Sequence, residues 1–345
     1  MTLLSLNNVK MQFGGLTAVN NVSFSVNSGE IVSVIGPNGA GKTTLFNMIT
    51  GIYAPTTGSI LIKDHPVEKP LSLRVLLAFL VSGTAGALFL YATLNVETLW
   101  AAVFTDHYSY QQPFPWTQIP LFMLEHFKAL SWWSAEGTLL IGALVGIAIA
   151  LTLWQGTRRT PELVLNQGLA RTFQNIRTFP TLSVRENILV GMHSKLAASV
   201  LGDAFQLPLT MRERASAEKA ADKILELIDL LNVANLPASK LPYGHQRRLE
   251  IGRALASKPT LLLLDEPAAG MNPSEAGELM LLIKKIRDEK ISILLIEHHM
   301  NVVMGISDRI VVLDYGEKIA EGTPSEIRKN PEVIQAYLGG EEVTL

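Results

Sequence analysis

The chain has 345 residues and no cysteine, so disulfides, thiolate metal sites and cysteine nucleophiles are excluded. A formal net charge of −2 and a pI of about 6.4 offer no basic surplus for gripping nucleic acid. The length suits one large domain or two modest ones, and residues 1–13 lack the basic stretch and long apolar run of a secretory signal.

Residues 3–35 alternate apolar and polar side chains, which predicts short strands broken at Gly14-Gly15 and Ser28-Gly29 and ending in the apolar run Ile31–Ile35. The next eight residues, Gly36-Pro37-Asn38-Gly39-Ala40-Gly41-Lys42-Thr43, fit G-x-x-x-x-G-K-[ST] at every fixed position. Such a loop curls so that successive N–H groups face phosphate oxygens, and the helix expected from about Lys42 adds its positive end. A chance Gly-rich turn is the plain alternative, but it would not need a strand before it and a helix after it. The expected ligand is ATP with Mg²⁺: the segment from Gly36 to Thr44 around the phosphates, Lys42 on the terminal phosphates, and the Thr43 hydroxyl on the ion. Gly58–Lys63 reads as a further strand.

The middle of the chain changes character. Charged residues make up only 17% of the whole, against about 25% in an ordinary soluble domain. Residues 75–154 hold five of them (Glu97, Asp106, Glu125, Lys128, Glu136) and all five tryptophans. Within this block 75–94 is an uncharged run of 20 residues and 138–154 one of 17. As helices they would be about 30 Å and 26 Å long, enough for a membrane crossing. Arg74 stands before the first and Arg158-Arg159 after the second, with one lysine against four acids between. That distribution puts both outer ends in the cytoplasm. Ser82 and Gly86 on one run, and Gly142 and Gly146 on the other, are small-residue pairs suited to close helix packing. Tyr91, Trp100 and Trp154 fall near the expected interfaces. A buried helical hairpin in a soluble subdomain is the alternative, although runs this apolar leave no wet face.

Beyond the block, Leu169–Phe173 reads as a strand with Gln174 at its end, and Ser183 with Glu186 makes a capping box that opens a helix. Residues 212–231 have helical periodicity. Leu261–Leu264 and Ser292–Ile296 have the length and composition of buried parallel strands. Asn272-Pro273-Ser274-Glu275 caps the helix between them. The first of these strands delivers Asp265 and Glu266 to its C-terminal end, where open α/β sheets bind ligands. Asp265 would hold Mg²⁺ and Glu266 would orient and deprotonate the attacking water. A polar strand-ending turn is the alternative, and the phosphate loop weighs against it. His298, after the second strand and Glu297, can reach a γ-phosphate or serve as an ordinary loop histidine, as neighbouring His299 does. Alone, Gln174 would be no more than a strand-end amide. The alternation of strands and helices argues an α/β fold.

Taken together, these residues resemble the ABC ATPase family, over residues 1–69 and 161–341, with 70–160 as an insert foreign to it. Within the family the resemblance is to the ATPase subunits of branched-chain amino-acid importers. It is carried by Phe13-Gly14-Gly15-Leu16, Arg171-Thr172-Phe173-Gln174, Tyr243-Gly244-His245-Gln246-Arg247-Arg248-Leu249-Glu250-Ile251, Ala268-Ala269-Gly270-Met271-Asn272-Pro273, Ser307-Asp308-Arg309-Ile310, Gly322-Thr323-Pro324 and Ala336-Tyr337-Leu338-Gly339. The resemblance implies an α/β ATPase core with an antiparallel β subdomain and a helical subdomain near 180–260. It also implies a second ATPase subunit paired head to tail, permease subunits docked on the helical subdomain, a separate solute-binding protein, and an inner-membrane location with the ATPase on the cytoplasmic side. It implies that Phe13 stacks on adenine, and that Gln174 couples Mg²⁺ and water to subdomain movement. Tyr243, Gly244 and His245 would then face the partner's ATP.

One departure stands out. The family's signature reads Leu-Ser-Gly-Gly-Gln, and this chain has Leu241-Pro242-Tyr243-Gly244-His245. Loss of the serine hydroxyl and one glycine would weaken the grip on the partner's nucleotide while leaving this chain's own hydrolytic residues in place. Two other classes stay open at this point: a nucleotide-binding regulator with little hydrolysis, and a soluble ABC protein outside transport.

Overall fold

The computed structural model describes residues 1–67, 71–94, 132–157, 160–192 and 208–338. Residues 95–131, Trp100 among them, Arg158-Arg159 and Gly339 lie outside the described residues. The chain divides into two compact units, Met1–Val67 with Arg159–Leu345, and Glu68–Arg158.

The larger unit opens with two 12-residue strands, β1 (Thr2–Phe13) and β2 (Leu16–Asn27), rather than several short ones. They stay paired across register shifts, and Asn8 and Asn21 take positive φ (46° and 51°), which lets one continuous hairpin absorb its irregularities. β3 (Ile31–Ile35), helix α1 (Lys42–Ile49), β4 (Thr57–Ile62) and β5 (His65–Pro66) follow. Helices α2 (Leu73–Leu94) and α3 (Trp132–Thr157) belong to the smaller unit, and then come α4 (Pro161–Asn166), β6 (Leu169–Arg171), α5 (Val184–Met192), α6 (Pro208–Leu227) and α7 (Tyr243–Ala256). β7 (Leu261–Asp265), α8 (Pro273–Asp288), β8 (Ser292–Ile296), α9 (Met300–Ile306), β9 (Arg309–Asp314), β10 (Glu317–Gly322), α10 (Pro324–Ile327) and α11 (Pro331–Leu338) complete it.

Among the described residues the strands form two sheets. One is antiparallel, in the order β2-β1-β4-β5; the other runs β10-β9-β3-β8-β7-β6, parallel except for β10. Every residue of β3, β7 and β8 is buried, as a parallel sheet covered on both faces requires. On one face, α1 inserts Leu45, Phe46 and Ile49 between the two sheets, against Leu4, Val19 and Ile60. On the other face, α5, α6, α7 and α8 build a second core around Ile188, Leu225, Leu249 and Ile283. This is the α/β core with an antiparallel β subdomain and a helical subdomain that the sequence implied.

Two C-terminal boundaries differ from the sequence expectation for identifiable reasons. β6 stops at Arg171, because Phe173 N–H turns away to donate to Glu250 Oε1 at 3.3 Å. α6 ends at Leu227 rather than near 231: Asp229 adopts φ 58° and Leu230 N–H reaches back to Leu225 O at 2.8 Å, a left-handed C-cap formed without glycine. The expected cap at Asn272 and the expected capping box at Ser183 are both present, and the Asn272 cap is also a capping box. Glu275 N–H donates to Asn272 Oδ1 at 2.9 Å and Asn272 N–H to Glu275 Oε2 at 3.1 Å. The Ser183 and Glu186 pair does the same at the start of α5.

Among the described residues the smaller unit shows a pair of helices, α2 (Leu73–Leu94) and α3 (Trp132–Thr157). α3 outruns the apolar segment 138–154 at both ends. A Cβ added at Gly86 would collide with Gly142 O, and one at Gly146 with Ser82 O, so the small residues are where the two helices cross most closely.

Candidate functional site

The phosphate loop leaves the buried end of β3 and runs straight into α1. Its shape demands glycine at Gly41, where φ is 91° and a Cβ would strike Ala18 O. Lys42, the first residue of α1, lies folded over the loop, and its Nζ donates to Gly36 O at 2.8 Å and Pro37 O at 2.9 Å. Burial pulls its pKa down, while the carboxylates of Glu266 and Asp265 pull it back up. An ammonium held between backbone carbonyls and two acids is positioned to transfer its hydrogen bonds to phosphate oxygens. The Thr43 side chain is exposed beside it. A cleft of about 350 Å³ opens over this surface, lined by Asn38, Gly39, Lys42, Thr43, Thr44 and Glu266 among others. Behind the loop, Tyr337 of α11 packs near Ile35; burial pushes its hydroxyl up to about 12, partly opposed by the Gly36 backbone beside it.

The end of β7 faces the loop. Asp265 is buried, and Arg171 at the end of β6 donates to its Oδ2 at 2.7 Å. Glu266 sits at φ 46°, a conformation that costs a non-glycine residue about 1–3 kcal/mol. Its N–H donates to Ile296 O at 2.9 Å, fixing the turn. The carboxylate is thereby turned to a point where Gln174 Nε2 donates to Oε2 at 3.1 Å and His298 Nδ1 lies 3.8 Å away. Loop, Asp265, Glu266, Gln174 and His298 therefore converge from four separate segments. A carboxylate steered by an amide and an imidazole next to a phosphate-binding loop is suited to holding a water for in-line attack.

Three supports of this site carried no sequence signal as such. Glu297 is fully buried; its Oε1 accepts Ala268 N–H at 2.8 Å and its Oε2 accepts the N–H groups of His298 at 3.0 Å and His299 at 3.2 Å. It thus ties the segment after Glu266 to the His298 loop. Arg247, also fully buried, donates to Phe173 O and Gln174 O at 2.8 Å each and to Glu250 Oε2 at 2.8 Å, holding the Gln174 backbone from α7. Burial raises the Glu250 pKa, against the pull of Arg247. The third is Arg171, already described. Arg171 and Arg247 at least fall within the resemblance segments, whereas Glu297 lies outside all of them.

Two expected groups lie apart from this cluster. Phe13, at the β1–β2 turn, is 43% exposed and meets Tyr53 edge-on at 5.4 Å. Tyr243, Gly244 and His245 open α7, where Tyr243 Oη donates to Ala269 O at 3.1 Å and Gly244 and His245 line a different, smaller cleft with Arg248 and Glu275.

This arrangement has counterparts. The family described as ABC transporter matches residues 19–85 and 148–269, and a branched-chain amino acid ATP-binding cassette transporter family matches residues 317–343. The chain is 38% identical, over 338 residues and 98% of each chain, to the high-affinity branched-chain amino acid transport ATP-binding protein LivG of Escherichia coli strain K12. It is 35% identical, again over 98% of each, to the corresponding BraF protein of Pseudomonas aeruginosa. A crystal structure of an ATP-binding cassette of an ABC transporter in its ADP conformation superposes with a TM-score of 0.63 at 24% identity, covering 98% of this chain and 99% of that one. The chain belongs to the ABC transporter family, as one of its ATP-binding, ATP-hydrolysing subunits.

Proposed function

We propose that this subunit energises an importer for branched-chain or related amino acids. The observation that carries the hydrolytic half is the convergence of Gln174, Glu266 and His298 beside the loop 36–43; identities of 35–38% to branched-chain amino acid transport proteins support the solute class. In this reading the loop N–H groups and Lys42 bind the ATP phosphates. Thr43, Asp265 and Gln174 offer hydroxyl, carboxylate and amide oxygens, the hard donor set that suits Mg²⁺, and the ion would neutralise phosphate charge when bound. Glu266 accepts a proton from water as the water oxygen bonds to the γ-phosphorus and the bond to the bridging oxygen breaks, releasing ADP. Gln174 and His298 orient the water and the γ-phosphate, and Phe13 takes the adenine face.

A second ATPase subunit, whether a copy or a homologue, closes the site from outside with its signature, while Tyr243, Gly244 and His245 serve the partner's nucleotide. Permease subunits dock on the helical subdomain, where a groove of about 580 Å³ opens between Phe173, Arg177, Phe179 and Arg253. A separate binding protein supplies the solute. α2 and α3 anchor the chain in the inner membrane with the ATPase on the cytoplasmic side; support comes from two helices with mean hydropathy 2.0 and 2.1, of which only 11% of each window is buried. The units 1–69 with 161–341, and 70–160, are then an ATPase and an inserted anchor.

The test is reconstitution of the complex in vesicles. Uptake of radiolabelled leucine, isoleucine or valine should need ATP and an intact Glu266. ATP-driven uptake of an unrelated solute alone would sink the amino-acid assignment.

A further inference from the structure

The residues just after β8 make a cluster that ATP hydrolysis does not use in full. Glu297 Oε2 lies 3.1 Å from His299 Nδ1 and 4.0 Å from His298 Nδ1. The two imidazoles stack with centroids 4.2 Å apart and planes at 35°, and the three ligand atoms all fall within 4.8 Å of one another. The His299 ring hydrogen-bonds Glu297 Oε2 at 3.1 Å, and His298 Nδ1 approaches the same oxygen without hydrogen-bonding it, so one carboxylate oxygen faces two imidazole nitrogens.

Zn²⁺ bound to nitrogen and oxygen at about 2.0–2.1 Å in a tetrahedral site spaces its ligand atoms roughly 3.3 Å apart. The observed 3.1 Å and 4.0 Å bracket that spacing, so only small side-chain rotations separate the cluster from a coordinating geometry. Glu266 Oε2 lies 3.8 Å from His298 Nδ1, outside the three-residue cluster, and would join an ion there by a side-chain movement toward it. Three backbone N–H groups, from Ala268, His298 and His299, hold the Glu297 carboxylate in place, the kind of outer support that firms a metal site. Both histidine side chains are about half exposed, so an ion can enter from solvent. Two imidazoles with carboxylates favour Zn²⁺, Ni²⁺ or Cu²⁺ over Mg²⁺, which prefers an all-oxygen shell.

We propose that Glu297, His298 and His299, completed by Glu266, form an inhibitory site for a divalent transition ion of the Zn²⁺ class. An ion there withdraws Glu266 from the attacking water and His298 from the γ-phosphate. The inhibition rests on the roles assigned to those two residues above; the binding does not.

The test uses the full chain without a histidine tag, in detergent and free of nucleotide, titrated with Co²⁺ and then Zn²⁺ as competitor. With no cysteine present, the visible bands of four-coordinate Co²⁺ cannot come from thiolates. His299→Asn keeps a donor toward Glu297 but removes a ligand nitrogen. It should weaken Zn²⁺ binding at least about 10-fold, the usual penalty for a damaged metal site. It should raise the Zn²⁺ concentration that halves Mg-ATP hydrolysis by the same factor, with uninhibited turnover unchanged. Equal Co²⁺ spectra and Zn²⁺ affinities in parent and variant would overturn the site, placing the ion on another of the seven histidines. Weakened binding with unshifted inhibition would overturn its inhibitory role and leave the hydrolytic assignment of Glu266 untouched.

Discussion

Arg171 donates through Nη2 to Asp265 Oδ2 at 2.7 Å, and through Nη1 to Asn47 Oδ1 at 2.8 Å and Thr50 Oγ1 at 3.2 Å. One guanidinium thus joins the edge strand β6, the carboxylate end of β7 and the last turn of α1. The side chains of Arg171 and Asp265 are 10% and 6% exposed, so solvent screens the pair little.

Removing Arg171 leaves a nearly buried carboxylate without its counter-ion, which costs about 3 kcal/mol in such settings. Arg171→Met should therefore lower the unfolding free energy of the ATPase unit by about that amount when no nucleotide is present. Asp265→Asn added to Arg171→Met should cost less than the sum of the two single changes, because no unpaired charge remains. Strictly additive effects in denaturant unfolding would mean the pair contributes nothing as a pair.

Glu266→Gln keeps the shape beside Gln174 but removes the base. Turnover should fall by about 10² or more while ATP binding stays near the parent value. Lys42→Ala should instead weaken nucleotide binding, since Lys42 bridges the loop carbonyls where phosphates would lie. Fluorescent-nucleotide binding and single-turnover hydrolysis in the assembled complex separate the two. Parent-like hydrolysis by Glu266→Gln would remove it from the proton-transfer role.

The phosphate loop was legible because all of its determinants are consecutive residues. Asp265 and Glu266 were legible because a buried run of leucines delivers them to a strand's C-terminal end, where α/β sheets bind ligands, in a chain that also carries a phosphate loop. The partners of these groups were not. Arg171 finds Asp265 across 94 positions solely because β6 pairs in parallel with β7. Arg247 and Glu297 look like solvated charges in a linear reading, and nothing local says that both are fully buried. The end of α6 was misjudged for a related reason: the left-handed cap is Asp229, without the glycine that usually marks it.

The signature departs from Leu-Ser-Gly-Gly-Gln, and the Tyr243 hydroxyl is spent on Ala269 O at 3.1 Å. If a partner subunit has the full motif, installing it here at 241–245 should raise hydrolysis chiefly at the partner's phosphate loop. Inactivating each loop in turn, by changing its lysine, assigns the gain to one site. An increase confined to this chain's own loop would contradict head-to-tail pairing.

Glu30 supplies a pH dependence of stability. Burial raises its pKa, but hydrogen bonds from Arg309 (2.8 Å to Oε1) and the Asn27 N–H (2.8 Å to Oε2) outweigh it and leave the net value below the ordinary 4.5. A depressed carboxylate favours the fold above its unfolded pKa, and that contribution is lost as pH falls through the lower, folded value. Thermal stability of the parent should therefore drop below about pH 4.5, and Glu30→Gln should flatten that drop. At neutral pH the same variant should cost about 1.5 kcal/mol, the scale of a charge-assisted hydrogen bond. Identical acid profiles for the two chains would show that Glu30 is not the titrating group.

The apolar helices α2 and α3 give the prediction with the widest consequence. Their outward faces carry Leu80, Val81, Phe89, Leu140, Leu144 and Leu153, each more than half exposed. Moving such surface out of water stabilises by about 25 cal/mol per Å², far more than a peripheral contact yields. The chain should therefore resist extraction from membranes by alkaline carbonate even when no permease is present. With Arg74 and Arg158-Arg159 at the outer ends, the connecting loop should face away from the cytoplasm. A single Ser109→Cys should then react with an impermeant thiol reagent in intact cells, whereas Ser216→Cys, exposed on the ATPase unit, should not; the native chain has no cysteine to blur the result. Gly146→Leu, which drives a side chain into the Ser82 carbonyl, should loosen the hairpin and increase its protease sensitivity in detergent. Release by carbonate, or no labelling at position 109, would return the pair of helices to a soluble or partner-bound role and make this an ordinary peripheral ATPase.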